Sequence, residues 1–263
     1  TGIVRDKLGR KMSKSLGNSP DPIKLIDQYG ADGVRMGMML SASAGNDILF
    51  DESLCEQGRN FNNKIWNAFR LVKGWEQEDI EQLVVNKIAG SWFEAKLKEV
   101  NEELNEQFRQ YRISEALMNV YRLFWDEFSG WYLEMVKPEY GKPIDKVTYQ
   151  ATFHFFDVLL KMLHPFMPFI TEELWHHIYE RKEGESIMRS TLKVDSLDDD
   201  NRRLLKDIEI VKQVVAGVRA VRNERNIAQK NKLVLQAVGQ DHIAVYADVV
   251  MKMANLKSID IVN

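Results

Sequence analysis

The sequence has few of the features that mark secreted, metal-bound or membrane proteins. Its 263 residues include a single cysteine, Cys55, which excludes an intramolecular disulfide and a cysteine-rich zinc site. The longest nearly apolar stretch, 158–170, is interrupted by Lys161 and His164 and is shorter than the roughly 20 residues that a bilayer-spanning helix needs. We therefore predict no membrane partner, no protein-bound metal and a cytoplasmic location.

The N-terminus also lacks a signal peptide pattern, and the first residue is Thr1 rather than methionine. We expect the chain to be a piece of a longer protein. Its length suffices for one large domain or two modest ones. A hydrophobic content of 44% and a charged content of 29% are typical of a folded chain.

Charge is distributed unevenly around the net value of −3. Residues 1–15 hold five Lys or Arg against one Asp, and residues 202–232 hold nine Lys or Arg against three acidic side chains. Between them, residues 76–107 carry nine acidic side chains against three lysines. Two basic zones separated by an acidic one suggest a polyanionic partner. Ordinary solvated helix faces explain the same pattern equally well.

Hydrophobic periodicity and turn signals predict a mainly α fold. Asp21-Pro22 predicts a helix start and Gly30 its end, a second short helix follows over 32–40, and small residues at 41–46 form a connector. The first long helix starts at Asp51 or Ser53, where Ser53 and Glu56 fit a capping box. Further helices are predicted over 86–109, 112–136, 147–163 and 169–181.

After a predicted linker at 195–200, the pattern indicates a helix over 203–225, a strand over 233–238, a helix over 241–254 and a strand over 259–262. The whole is an antiparallel helical bundle, preceded by a short α/β segment and followed by a small α/β cap. We assign the segment to 1–50, the bundle to 51–200 and the cap to 201–263. Aromatic residues at 124–132 recur at helical spacing and are predicted to lie in the core.

Two lysines three residues apart stand among small hydroxyl residues between Gly9 and Gly17. Lysine is a mobile point charge, so such a pair can bring two ammonium groups to one polyphosphate. The loop is not a P-loop, because no G-x-x-x-x-G-K-[ST] is present. Spacing alone also fits an ordinary basic surface loop. The candidate phosphate-binding residues are Lys11, Met12, Ser13, Lys14 and Ser15.

Residues 11–15, KMSKS, are identical in sequence to the KMSKS signature of class I aminoacyl-tRNA synthetases. Three further stretches resemble the valyl-tRNA synthetase family in particular: RNFNNKIWNA at 59–68, LHPFMPFITEELW at 163–175 and VRNERNIA at 221–228. The resemblance runs in order along the whole chain. The isoleucyl branch of the class is an alternative, and a helical scaffold protein with a chance KMSKS match is a second one.

The resemblance implies activation of valine by ATP with Mg²⁺ and transfer of the valine to its tRNA. By position, Lys14 would stabilise the ATP phosphates as pyrophosphate leaves, Lys11 would assist, and the serines would shape the loop. The second signature of the class, of the His-x-Gly-His type, is absent from this sequence. We therefore expect an inactive part of an enzyme, with ATP and valine bound only together with missing domains.

The bundle corresponds to the anticodon-binding domain of that class. The helix stripe, as we call Arg59, Asn63, Asn67 and Arg70 with Lys64 at its edge, recurs at steps of four, four and three opposite the apolar seam. Arginine planes and amides read single-stranded RNA bases, so we predict tRNA contact there, with a solvated face as the alternative. Arg219, Arg222 and Arg225 could meet tRNA phosphates or the acidic linker. We expect a monomer that binds valine tRNA.

Overall fold

The computed structural model describes residues 3–42, 46–238 and 244–262, and helices dominate these ranges. The helices are α1 Pro22–Tyr29, α2 Ala31–Leu40, α3 Glu52–Lys73, α4 Val84–Arg109, α5 Ile113–Arg122, α6 Leu133–Val136, α7 Lys146–Leu163, α8 Pro168–Ile178, α9 Asp199–Glu224 and α10 Ala247–Ala254. A π-helical segment, Leu123–Tyr132, joins α5 to α6, and a 3₁₀ turn spans Ile187–Arg189. The predicted mainly α class is confirmed.

The described strands form separate two-stranded parallel sheets. β1 Val4–Asp6 pairs with β2 Ile48–Phe50, β3 Gln77–Glu78 with β4 Ile144–Asp145, and β5 Leu233–Val238 with β6 Leu256–Val262. The first sheet pairs the strand just before the KMSKS residues 11–15 with the strand just before α3. The last sheet pairs the two C-terminal strands. In the described ranges no helix is both long and apolar enough to cross a membrane.

Local capping signals set the starts of the first helices. Asp21 accepts a hydrogen bond from the Ile23 N–H and caps α1, as predicted. α3 begins after Asp51, whose carboxylate accepts from the Ser53 N–H at 3.0 Å. The predicted capping box of Ser53 and Glu56 is therefore wrong, because Ser53 already lies inside the helix. Of the predicted connector, residues 43–45 lie outside the described residues.

The C-terminal elements depart from the prediction at their starts. The predicted linker at 195–200 is shorter, because Asp198 accepts from the Asn201 N–H at 2.7 Å and starts α9 at Asp199. Leu197 is buried just before that cap. The described part of the helix predicted over 241–254 contains α10, and residues 241–243 lie outside the described ranges. β5 occupies its predicted residues, whereas β6 begins at Leu256.

One large hydrophobic core holds the bundle together. Phe93, Phe128 and Tyr132 are fully buried, and the ring centroids of Phe128 and Tyr132 stack 5.5 Å apart. The sequence predicts one α-helix over 112–136, but Leu123–Tyr132 adopts the wider π form. This widening accompanies ring contacts between residues four apart, which also include Phe124 with Phe128 at 5.5 Å. The same core includes buried residues of α2, α9 and α10, so it extends across the predicted domain boundaries.

Helix α2 docks closely on α3 through glycines. A Cβ on Gly58 would lie 2.6 Å from the Gly33 carbonyl oxygen, and one on Gly37 would lie 2.8 Å from the Cys55 Sγ. Cys55 is fully buried at this crossing, and burial raises the pKa of its thiol to about 11. The two helix backbones can approach this closely only because these positions lack side chains.

Hydrogen bonds of two charged side chains hold α2 against the turn between α7 and α8. The buried Asp32 carboxylate accepts from the Phe169 and Ile170 N–H groups in the first turn of α8. The Arg35 guanidinium donates to the carbonyls of Pro165 and Phe166. Burial raises the pKa of Asp32, while the two backbone N–H groups oppose that rise. Helix α2 thus contacts the bundle at two places, the crossing with α3 and the turn between α7 and α8.

Candidate nucleic-acid interface

The signature loop, residues 7–20, is organised around the carboxylate of Asp6 at the end of β1. Its Oδ1 accepts from the Leu8 N–H at 3.1 Å and the Arg10 N–H at 2.8 Å, and its Oδ2 accepts from Asn18 Nδ2 at 3.0 Å. Asn18 Oδ1 in turn accepts from the Ser13 N–H at 2.9 Å. The hydrogen bond from Asn18, followed by those from Arg10, holds the pKa of Asp6 well below its usual range. A charged Asp6 therefore organises both sides of the loop.

Turns on either side of the signature complete this shape. Gly9 and Gly17 have φ values of +76° and +64°, which side chains with a Cβ adopt rarely. Ser13 Oγ lies 3.1 Å from Ser15 Oγ and accepts from the Leu16 N–H at 3.2 Å. Both serine hydroxyls are thus engaged in the loop itself.

The two signature lysines point away from this network. Lys11 and Lys14 are exposed, and no hydrogen bond or ion pair of the described residues uses their ammonium groups. Met12 lies between them, half-buried against the small cluster that contains Phe50. The loop therefore holds its backbone through Asp6 and leaves two cations at the surface.

The members of the helix stripe on α3 differ in their surroundings. Asn63, Asn67 and Arg70 are exposed along one face. Arg59 pairs with Glu56 at 3.2 Å and lies 5.6 Å from the ring centroid of Tyr29. Its guanidinium therefore already has partners in the fold.

Lys64, at the edge of the stripe, lies over an aromatic side chain, Trp125, that is not among the predicted RNA-contact residues. Its Nζ lies 5.4 Å from the ring centroid of Trp125. Tyr121 stacks on Trp125 at 5.5 Å, and both rings are only half-buried. Trp125 falls in the aromatic group predicted as core, and it packs against that core while remaining only half-buried. Spacing alone gave no signal for it.

Of the α9 arginines, Arg222 contradicts the prediction of phosphate contact. It is 2% exposed, and its guanidinium donates to four backbone carbonyls: those of Ala228, Asn231, Ala254 and Asn255. It holds the end of α9 against the loop before β5 and against the end of α10. A buried guanidinium in this state cannot reach a phosphate.

The other two α9 arginines lie at the surface. Arg219 donates to the Met253 carbonyl at 2.9 Å and lies 5.5 Å from the ring centroid of Trp131. Arg225 is exposed at the end of the helix. The structure therefore brings none of these three side chains to the α3 face.

Within 3–42, 46–238 and 244–262, no group of three or more His, Cys, Asp or Glu side chains could hold a metal ion. The adjacent His176 and His177 each face a glutamate one turn earlier, at 3.1 and 3.2 Å. Their arrangement is that of two helix-surface pairs.

Comparison with protein families gives two matches. Residues 1–51 match the family described as tRNA synthetases class I (I, L, M and V). Residues 90–238, more than half of the chain, match the anticodon-binding domain of tRNA ligase. The chain belongs to the anticodon-binding domain family of tRNA ligases. Most of α4, α5, the π-helical segment and α6 to α9 thus fall inside the domain that defines this family.

Several valine–tRNA ligases contain a region similar to this member of the anticodon-binding family. The enzyme of Phocaeicola vulgatus is 64% identical over 100% of this chain and 30% of its own length. That of Porphyromonas gingivalis is 58% identical over 99% and 30%, and that of Fusobacterium nucleatum 36% identical over 98% and 31%. The chain spans about 30% of the length of these curated relatives.

A solved structure has a similar fold. In the ternary complex of Agrobacterium radiobacter K84 agnB2 LeuRS with tRNA and LeuAMS, the matching region covers 90% of this chain and 25% of the other, with a TM-score of 0.50. The sequence identity is 19%, so the likeness concerns the fold alone. It agrees with the helical bundle expected of the anticodon-binding family.

Proposed function

We propose that the chain is the tRNA-binding part of a valine–tRNA ligase and contributes the signature loop to that enzyme's reaction. The complete enzyme would activate valine with ATP and transfer it to valine tRNA. The valine site and the rest of the ATP site would lie outside these 263 residues, so the chain alone would have no ligase activity. We also propose that it works in the cytoplasm as a monomer.

The observation that carries the RNA part is the uncovered outer face of α3. Asn63, Asn67 and Arg70 are exposed there, while the opposite face of the helix packs Phe61, Ile65 and other residues into the core. Amides and a guanidinium on one rigid helix can hydrogen-bond to base edges and stack on unpaired bases. Lys64, held over Trp125, adds a cation and a half-buried aromatic ring beside this face.

The exposed lysines support the second part of the proposal. Lys11 and Lys14 stand on a loop fixed through Asp6 and Asn18, so their ammonium groups can meet phosphate oxygens without rearranging the backbone. Positioned cations stabilise the charge that grows on a leaving pyrophosphate. In the complete enzyme, Mg²⁺ would accompany the ATP phosphates.

Fluorescence anisotropy with labelled valine tRNA tests the RNA part. The matched control is the same tRNA with a changed middle anticodon base, and both are titrated at low and moderate salt. Phosphate contacts lose affinity as salt rises and carry no sequence preference, so we expect a preference for the valine anticodon that persists at the higher salt. Equal binding of both RNAs that disappears with salt would contradict anticodon reading by this chain.

The same assay separates the alternatives. The valine and isoleucine anticodons share their middle base, so isoleucine tRNA is added as a third RNA: an isoleucyl enzyme would favour it over valine tRNA, and a helical scaffold would show no RNA preference at any salt. The 36–64% identity to valine–tRNA ligases over nearly the whole chain favours the valine enzyme over the isoleucyl and scaffold alternatives.

A further inference from the structure

A cavity of about 380 Å³ lies at the C-terminal end of α3, between the start of α7 and the end of α8. It begins about one helical turn beyond Arg70, the last residue of the helix stripe. Its lining includes Lys73, Gln77, Tyr149, Gln150, Phe153 and Tyr179. The volume falls within the range of small-ligand sites, which is about 300–1,000 Å³.

One wall of the cavity is an aromatic ring that is held in place from behind. Tyr179 is 44% exposed, and the Arg181 guanidinium lies 5.2 Å from its ring centroid. The same guanidinium lies 3.7 Å from the ring centroid of Trp175. The buried Asp157 accepts from Trp175 Nε1 at 2.8 Å and pairs with Arg181 at 3.4 Å. A buried carboxylate thus orders a stack of Trp175, Arg181 and Tyr179 whose outer ring faces the cavity.

A second aromatic pair contributes to the cavity from α7. Tyr149 is half-buried, and its ring centroid lies 4.9 Å from that of the buried Phe153 at an interplanar angle of 61°. Burial raises the pKa of Tyr149 and of Tyr179, so both phenols stay neutral at physiological pH. Flat, neutral aromatic surfaces are where a nucleobase stacks.

Polar groups with unused hydrogen-bonding capacity line the same space. No hydrogen bond of the described residues uses the side-chain amides of Gln77 and Gln150, and such amides offer the donors and acceptors that base edges need. Lys73 donates to the His177 carbonyl at 3.1 Å, which places a cation at the cavity. This combination of stacking surface, free amides and one cation matches a single nucleotide.

We propose that this cavity takes one unstacked nucleobase of the RNA whose neighbouring bases lie along the helix stripe. The proposal rests on the proposed function, because it places one base of the same RNA. Tyr179 supplies the stacking surface, Gln77 and Gln150 contact the base edge, and Lys73 meets the adjoining phosphate.

The test uses anticodon stem-loop RNAs that carry 2-aminopurine, a base whose fluorescence falls on stacking, at one loop position at a time. With the wild-type chain we expect quenching at one particular position on binding. Tyr179→Leu should abolish that quenching and weaken affinity by about tenfold. Gln77→Leu with Gln150→Leu should leave the quenching but change which base is preferred at that position.

Tyr111→Leu is the matched control, because Tyr111 is 80% exposed in the turn between α4 and α5 and lies outside the cavity. Thermal unfolding checks that each variant keeps its fold. If the RNA binds but Tyr179→Leu behaves like Tyr111→Leu, the cavity assignment is wrong and the proposed function survives. If the wild-type chain binds no RNA at all, both are overturned.

Discussion

Helices α3 and α9 both carry arginines at helical spacing, yet the fold uses the two sets differently. On α3, Arg70 stays exposed with Asn63 and Asn67 because no described element packs on that face. On α9, Arg222 is buried and donates to carbonyls of the chain that follows the helix. Spacing tells which side chains share a face, whereas burial depends on segments that return from elsewhere in the chain.

The largest expected effect comes from removing the buried α9 arginine. Arg222→Met keeps much of the side-chain volume but leaves carbonyls such as those of Ala254 and Asn255 without their donor. Unsatisfied buried acceptors are costly, so we expect a loss of about 3–4 kcal/mol in the free energy of unfolding, measured in urea. The exposed Arg225→Met is the control and should change stability by less than about 0.5 kcal/mol. Equal effects would contradict a structural role for Arg222.

A glycine on each helix sharpens the contrast. A Cβ on Gly58 of α3 would lie 2.6 Å from the Gly33 carbonyl oxygen, whereas a Cβ on Gly217 of α9 would have nothing within 4 Å. We expect Gly58→Ala to destabilise the chain by about 1–3 kcal/mol because α2 must shift. Gly217→Ala should instead stabilise it by about 0.5–1 kcal/mol through helix propensity. Thermal or urea unfolding measures both, and equal signs would refute the close approach of α2 and α3.

The third prediction concerns the exposed arginines of the two helices. Arg70→Ala should weaken binding of valine tRNA by about tenfold and reduce the preference over the changed anticodon. Arg225→Ala should weaken the binding of both RNAs by similar factors and lower its salt dependence, because a phosphate contact carries no sequence preference. Anisotropy titrations at two salt concentrations measure this. An unchanged anticodon preference in Arg70→Ala would remove the helix stripe from base reading.

Much of the fold follows from local signals in the sequence. Asp21 and the proline after it start α1, and the periodicity of apolar residues gives the long helices to within a few residues. Two features of the fold were nevertheless not predicted from hydrophobic periodicity. The start of α9 is set by a local cap at Asp198 that the predicted linker took in, whereas the π-helical segment accompanies contacts among large rings that only the packed core brings together.

The candidate site shows the same division. Periodicity placed the helix stripe opposite the buried seam, and three of its members are exposed there. It gave no signal that Arg59 would lie against Tyr29 or that Lys64 would lie over Trp125, since those rings come from other helices. The cavity beside Tyr179 joins residues about 100 positions apart, which no local pattern could reveal.

The smallest expected effect is that of the signature lysine on RNA affinity. Lys14 stands on the loop between β1 and α1, near the start of α3, whereas Arg70 lies 18 residues beyond Glu52, about 27 Å along the helix axis. That separation exceeds the screening length of about 10 Å at 0.1 M salt. Lys14→Ala should therefore change the affinity for valine tRNA by less than about twofold. For comparison, the loss of one base contact should weaken it about tenfold. A much larger loss, measured in the same titration with Lys11→Ala alongside, would move the main RNA contact from the bundle to the signature loop.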